Sequence, residues 1–542
     1  MLFVGILALG CSASNSDAND EAESDGSMVM DALADSPNDV SMVCENIASF
    51  DAHSFGEWTV FTHSGRGHWF VAYDDQYMVG SPQACGAEPA RPMSTARGDV
   101  EYTEAGDAIL TRLSDLSWTP RTGDIAVRRQ VDGVDISFGS RGVKFLEEEH
   151  GLRIEAYGRR SDTGVALHLE CRRLEAFFGL GGQTVGHDLR MGRFPLWPQH
   201  DGDGKNSPPE EFPKDHLPEA SRSPMAVLHS SMGYTALGTS DAYQELDVCK
   251  ENVGGVSLYA LDERAGFLLL SGNTVRQRMK RLRATLGELP PIPQWTYGPW
   301  NIAVGGRDRV LEVAEKLRSN RIPSSGMWVE DWAGVDPSSA GYAPLAEWLP
   351  ASGRYPDFNV LVDTLNERGF SVLTQVSPLV KAASDRAQEL EGMGLLLRDD
   401  AGQTLVGVHR QMGPVHFIDL SNPAAKSWIT RRMNSLLGEL NIQGWVATDG
   451  HWLPVNARLA DGRPGWDAHN QNTLEWQRLS KAALESSHPN GDWTFFAKSA
   501  WGTVNGSSSH LAPVLTSGSQ SAEWDTGDNL DAVVNMAIHL GM

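Results

Sequence analysis

Residues 444–454, GWVATDGHWLP, bring a hydroxyl, a carboxylate and an imidazole close together as Thr448, Asp449 and His451. A carboxylate in such a place can act as a nucleophile, a general acid or a general base. The stretch reads like the end of a buried barrel strand: Gly444, then apolar Trp445, Val446 and Ala447, then polar groups and a turn. Barrel enzymes gather their catalytic groups at strand ends of this kind. Successive strand residues face opposite sides, so Thr448 and Asp449 compete for the chemical position. With no Gly or Pro between Trp445 and Thr448 to license a bulge, the unslipped register is expected, with Thr448 facing the barrel mouth. A second strand end, MWVEDWAG at 327–334, sets Glu330 and Asp331 between Trp328 and Trp332. Asp331 reads either as a ligand contact or as a carboxylate capping the next loop. The two tryptophans read as barrel core, with at least one facing the pocket. No P-loop, dinucleotide fingerprint, zinc spacing or nucleophile elbow stands out, so neither a cofactor nor a metal is expected.

The chain around these residues is long enough for two or three domains, at 542 residues. Its formal charge of −25 argues against nucleic acid and anionic membrane surfaces as partners, since both would repel it. Its 17 Trp against 10 Tyr suit sugar-stacking surfaces, although most buried Trp is simply core. The apolar run MLFVGILALG leads straight to Cys11, the pattern of a lipoprotein signal (1–11) that leaves Cys11 as a lipidated N-terminus. No Lys or Arg precedes the run, and Ala8 stands where Leu is commoner, which keeps open a plain secretory signal or a misplaced start. The acidic, Ser- and Asn-rich residues 12–43 read as a disordered tether. The expected location is thus exported and lipid-anchored, on the periplasmic or cell-surface side. Setting Cys11 aside leaves Cys44, Cys85, Cys171 and Cys249, an even number suited to an oxidising compartment. Three pairings are possible; Cys44–Cys85 and Cys171–Cys249 are the local choice, and four free thiols are the alternative.

Two textures follow. Residues 44–288 alternate in short runs such as HWFVAYDD and LRIEAYG, with no long amphipathic helix evident, which predicts an antiparallel β-sandwich. The Pro-rich GELPPIPQW, 287–295, marks a boundary. Strand–helix repeats then fill 289–542 and predict a (β/α)₈ TIM-type barrel, with a hairpin insertion around LLLRDDAGQTLVGVHR and VHFIDL read as a strand leading into a helix. The chain stops at Met542, inside the helix after the sixth strand counted, so the barrel is expected to be incomplete at its C-terminus and open at one side.

Six segments occur in the order found in glycoside hydrolase family 31. They are GLGGQTVGHDLRMGRFPLWPQHDGDGK (179–205), MWVEDWAG (327–334), GWVATDGHWLP (444–454), HNQNTLEWQ (469–477), FFAKSA (495–500) and TSGSQSAEW (516–524). The chain resembles that family from about residue 175 onward, and within it the sulfoquinovosidase branch. The resemblance implies a galactose-mutarotase-like sandwich, a catalytic barrel and retaining α-glycosidase chemistry on an α-linked glycoside. It also implies a nucleophile Asp at the position of Thr448, with Asp449 as a possible shifted nucleophile, and an acid/base Asp at the position of Ser519. Glu523 or Asp525 could replace Ser519 only from further along the loop. Substrate contacts carry over to Trp328, Glu330, Asp331, Trp332, Lys498 and His469, and the sulfonate-gripping Arg and Trp fall loosely on Ala343 and Ala346. Hydroxyls at both catalytic positions predict weak or absent hydrolysis. A non-catalytic carbohydrate-binding lipoprotein and a truncated, non-functional product are the alternatives.

Overall fold

The computed structural model describes residues 47–83, 90–105, 108–112, 116–199, 219–250, 255–337, 342–409, 411–516 and 530–541. Cys11, Cys44, Cys85, Ser519, Glu523 and Asp525 lie outside them. The N-terminal half is built from antiparallel sheets: one of eight strands, one of six, and a four-stranded sheet over residues 51–80. Strict alternation explains the packing. Val134 and Ile136, Phe145, Ile154 and Leu167 are fully buried, and they meet residues of all three sheets in a single core. Cys171 and Cys249 are joined in a disulfide across 78 residues of chain, with Cα atoms 6.1 Å apart; the expected Cys44–Cys85 pair falls outside the described residues.

One helix was not visible in the residue pattern. α1 (Val275–Leu286) closes the N-terminal half, where only short strands were expected. Its basic sequence VRQRMKRLRATL dilutes the apolar period, but Thr274 and Gln277 cap its N-terminus reciprocally. Leu282 and Leu286 pack against Leu268 and Leu270 of the eight-stranded sheet.

Six parallel strands follow: β1 (Trp300–Ile302), β2 (Gly326–Trp328), β3 (Ser371–Val376), β4 (Gly444–Ala447), β5 (Thr494–Ala497) and β6 (Val514–Leu515). They lie side by side in chain order, and among the described residues β1 and β6 are the two edges. Among the described residues of this half the α-helices are α2 (Arg307–Ser319), α3 (Phe358–Glu367), α4 (Asp385–Gly392), α5 (Pro423–Leu440), α6 (Gly465–Ser487) and α7 (Leu530–Gly541). VHFIDL does not join the parallel sheet. Residues Gly413–Phe417 pair antiparallel with Leu379–Lys381 and Gly407–His409 in a separate three-stranded sheet. Leu379, Val415 and Phe417 of that sheet pack with Trp452.

The two halves are tied at Asp241, beyond the end of a strand of the eight-stranded sheet. Its carboxylate accepts hydrogen bonds from Trp501 Nε1 at 2.9 Å, Thr503 Oγ1 at 2.7 Å, Asn505 Nδ2 at 3.0 Å and Gln471 Nε2 at 3.1 Å. Removing an ionised acceptor leaves its donors unsatisfied. Asp241→Ala should therefore lower the free energy of unfolding by about 2–3 kcal/mol in urea titration. A loss within experimental error would show that this contact does not hold the halves together. Among the described residues no helix is long and apolar enough to cross a membrane.

Candidate active site

The barrel interior is set by the period of two along its strands. Trp300, Leu373, Val446, Phe496 and Val514 form one inward-facing cluster, joined by Trp328. Their neighbours Met327, Val372, Trp445 and Phe495 face the helices in another. Continuing the alternation past the strand ends turns Glu330, Thr448 and Lys498 toward the mouth.

Thr448 extends the ladder, its backbone N–H bonding to Val376 O at 3.0 Å. The residue is 2 % exposed, and its hydroxyl donates to Asp449 Oδ2 at 2.6 Å or to Val376 O at 3.3 Å. Asp449 should then point away. It does not, because its φ of 59° is left-handed and turns the carboxylate back to the side of Thr448. Asp is one of the few non-glycine residues that adopt this conformation readily, so no bulge is needed. The expectation that only Thr448 would face the mouth is corrected accordingly. Ser377 Oγ, at the end of β3, donates to the same Asp449 Oδ2 at 2.7 Å. His409 Nε2, at the tip of the inserted sheet, stands 3.9 Å from Asp449 Oδ1. Burial would raise the pKa of Asp449, but His409, the Thr448 and Ser377 hydroxyls and Lys498 outweigh it and hold the carboxyl below its ordinary range.

Across the mouth, Lys498 Nζ lies 5.6 Å from the centre of the Trp328 ring, a cation–π placement. Burial, reinforced by Asp331, raises the pKa of Glu330 against the opposing effects of Lys498 and a hydrogen bond from Tyr342. Two carboxyl groups at one mouth are thus driven in opposite directions. His451 is buried behind them; burial first, then Arg222, pushes its pKa down to about 3.

Other expected contacts are structural. Asp331 is fully buried and accepts from Gly305 N at 3.0 Å, Arg354 Nε at 2.7 Å and the Tyr355 hydroxyl. It caps the loop after β1 rather than meeting a ligand. Trp332 is core, 1 % exposed, with Nε1 bonded to Gln375 O. His469 is also buried, its ring nitrogens on Leu453 O and Pro198 O and its plane stacked on Trp197 at 3.9 Å. It pins the two halves together. Trp328, Glu330, Thr448, Asp449 and Lys498 are the expected residues that do converge. Ala343 and Ala346, the loosely counted sulfonate positions, are respectively buried and half-buried. Ser377, His409 and Tyr342 join the site without any residue pattern that marks them. Among the described residues, no group of three His, Cys, Asp or Glu could hold a metal ion.

A parallel barrel sheet with polar groups at its strand ends is the arrangement in which (β/α)₈ enzymes place their active sites. Residues 289–542 match the glycosyl hydrolases family 31 TIM-barrel domain, and the relatives and solved structures that resemble the chain support a family 31 protein. It is 25% identical to the sulfoquinovosidase of Escherichia coli over 385 residues, covering 69% of this chain and 56% of that protein. The sulfoquinovosidase of Agrobacterium fabrum is 26% identical over 378 residues, with 68% and 56% covered. The alignments thus span little more than half the length of these curated relatives. A family 31 sulfoquinovosidase from E. rectale, solved with an aza-sugar inhibitor, shares the fold with a TM-score of 0.77 at 19% identity, covering 90% of this chain and 72% of that one.

Proposed function

We propose that this protein binds an α-linked glycoside in the barrel mouth and hydrolyses it slowly or not at all. The observation that carries the reading is Thr448, a buried strand-end hydroxyl bonded to its neighbours, which we align with the family's nucleophile. A hydroxyl there cannot stabilise an oxocarbenium-like centre as a carboxylate does. Trp328, Glu330, Asp449 and Lys498 supply an aromatic face and polar groups suited to a sugar. Titration with aryl α-glucoside, α-xyloside and α-sulfoquinovoside should quench or shift the Trp fluorescence saturably. A flat response to all three would remove the reading.

A second reading is active hydrolysis with Asp449 as a shifted nucleophile. It is favoured by the left-handed turn that brings this ionised carboxylate beside Thr448. Wild-type hydrolysis that disappears in Asp449→Ala would establish it. We further propose that the protein is exported and anchored through lipidated Cys11. A palmitate label should then be incorporated by the wild type and not by Cys11→Ala, and equal labelling of the two would exclude the anchor.

A further inference from the structure

Asp449 and His409 each have one polar end engaged by the protein and the other 3.9 Å from its counterpart. Asp449 Oδ2 accepts the Thr448 and Ser377 hydroxyls at 2.6 and 2.7 Å. His409 Nδ1 accepts the backbone N–H groups of Gln411 at 3.2 Å and Met412 at 3.1 Å. A nitrogen that accepts two donors carries no proton, so in the neutral ring the hydrogen sits on Nε2. That leaves an N–H donor and a carboxylate acceptor 3.9 Å apart. The separation is too long for a direct hydrogen bond, and one oxygen about 2.8 Å from both can bridge them from one side of the line that joins them. The side chains are 10% and 18% exposed, so the pair lies at the rim of the mouth and is held in place from behind.

Only a group that accepts and donates through one atom satisfies both ends. A hydroxyl does so. An ammonium cannot accept from Nε2–H, and a carboxylate or phosphate cannot donate to Oδ1 and would be repelled by Asp449. Trp452, whose ring centre is 6.2 Å from that of His409, adds an apolar wall. We propose that His409 and Asp449 form a station for a single sugar hydroxyl, which takes the Nε2–H hydrogen bond and donates its own proton to Oδ1. Asp449 thereby serves as a ligand acceptor, and the inserted sheet that carries His409 becomes part of the binding site. This inference rests on the carbohydrate-binding reading.

The test uses the full chain and isothermal titration. The tightest of 4-nitrophenyl α-glucopyranoside, α-xylopyranoside and α-sulfoquinovopyranoside is compared with each of its monodeoxy derivatives. For the wild type, one deoxy sugar should bind about tenfold more weakly or worse, the loss expected when a charged hydrogen-bond partner is left without its hydroxyl. His409→Phe and Asp449→Asn should each weaken the parent sugar by a similar factor and bind it no better than that same deoxy sugar. His409→Gln, which retains an N–H donor, should recover part of the discrimination. If His409→Phe fails to fold, Asp449→Asn carries the comparison. Discrimination that persists in the variants, or that is lost at different hydroxyls in the two, overturns the station while leaving carbohydrate binding intact. No binding of any probe by the wild type overturns both.

Discussion

Wild-type protein incubated with aryl α-glucoside, α-xyloside or α-sulfoquinovoside should release the aglycone no faster than buffer alone. Retaining hydrolysis needs two carboxyl groups about 5–5.5 Å apart, one attacking the anomeric carbon and one protonating the leaving oxygen. On the proposed reading the first position falls on Thr448, whose hydroxyl is 2 % exposed and bonded to Asp449 or Val376. On the same reading the second falls on Ser519. A hydroxyl at its normal ionisation range is a feeble nucleophile for such a centre and a poor proton donor at neutral pH. Each lost carboxylate removes several kcal/mol of transition-state stabilisation, a factor of about 10³ or more in rate. Thr448→Asp combined with Ser519→Asp should raise the rate to a detectable trace. The trace would stay far below a natural glycosidase, because Asp449 would then crowd the new carboxylate with a like charge. Hydrolysis by the wild type at more than background, abolished in Asp449→Ala, would contradict this expectation and favour the shifted nucleophile.

The largest stability effect should come from a residue that residue type alone marks as a ligand contact. Asp331→Ala should cost about 3–5 kcal/mol in urea unfolding, the range found when one partner of a buried ion pair is removed. Its carboxylate is fully buried, and the Arg354 guanidinium, the Tyr355 hydroxyl and the Gly305 amide all donate to it. Alanine would strand those three donors and leave the loops after β1 and β2 without their common anchor. Asp331→Asn keeps one acceptor oxygen and should lose less. A change below about 1 kcal/mol in Asp331→Ala would place the residue among ordinary surface carboxylates.

Much of the site's frame was legible before any coordinates. Val446 and Phe496 fall in the inward cluster while Trp445 and Phe495 face the helices, as simple parity along the strands requires. The local Cys171–Cys249 pairing was equally readable, and it is present. Helix α1 was hidden because its arginines dilute the apolar repeat, and its stability comes from a cap and from packing on a distant sheet. VHFIDL pairs outside the parallel sheet, because a short apolar run carries no information about which edge it will pair with.

Residue order alone carried the likeness to family 31 and the strand-end positions, since these depend on spacing and side-chain type. It could not determine which way Asp449 points, because that rests on a left-handed backbone turn after β4. Nor could it join Ser377, His409 and Asp449, whose positions are separated by long stretches of chain and meet only once the inserted sheet has folded. Asp331 and His469 look like ligand contacts by type, yet tertiary packing surrounds both with internal partners. A polar side chain can bind a ligand only with the hydrogen-bonding capacity the fold leaves unfilled, and that remainder is decided in three dimensions.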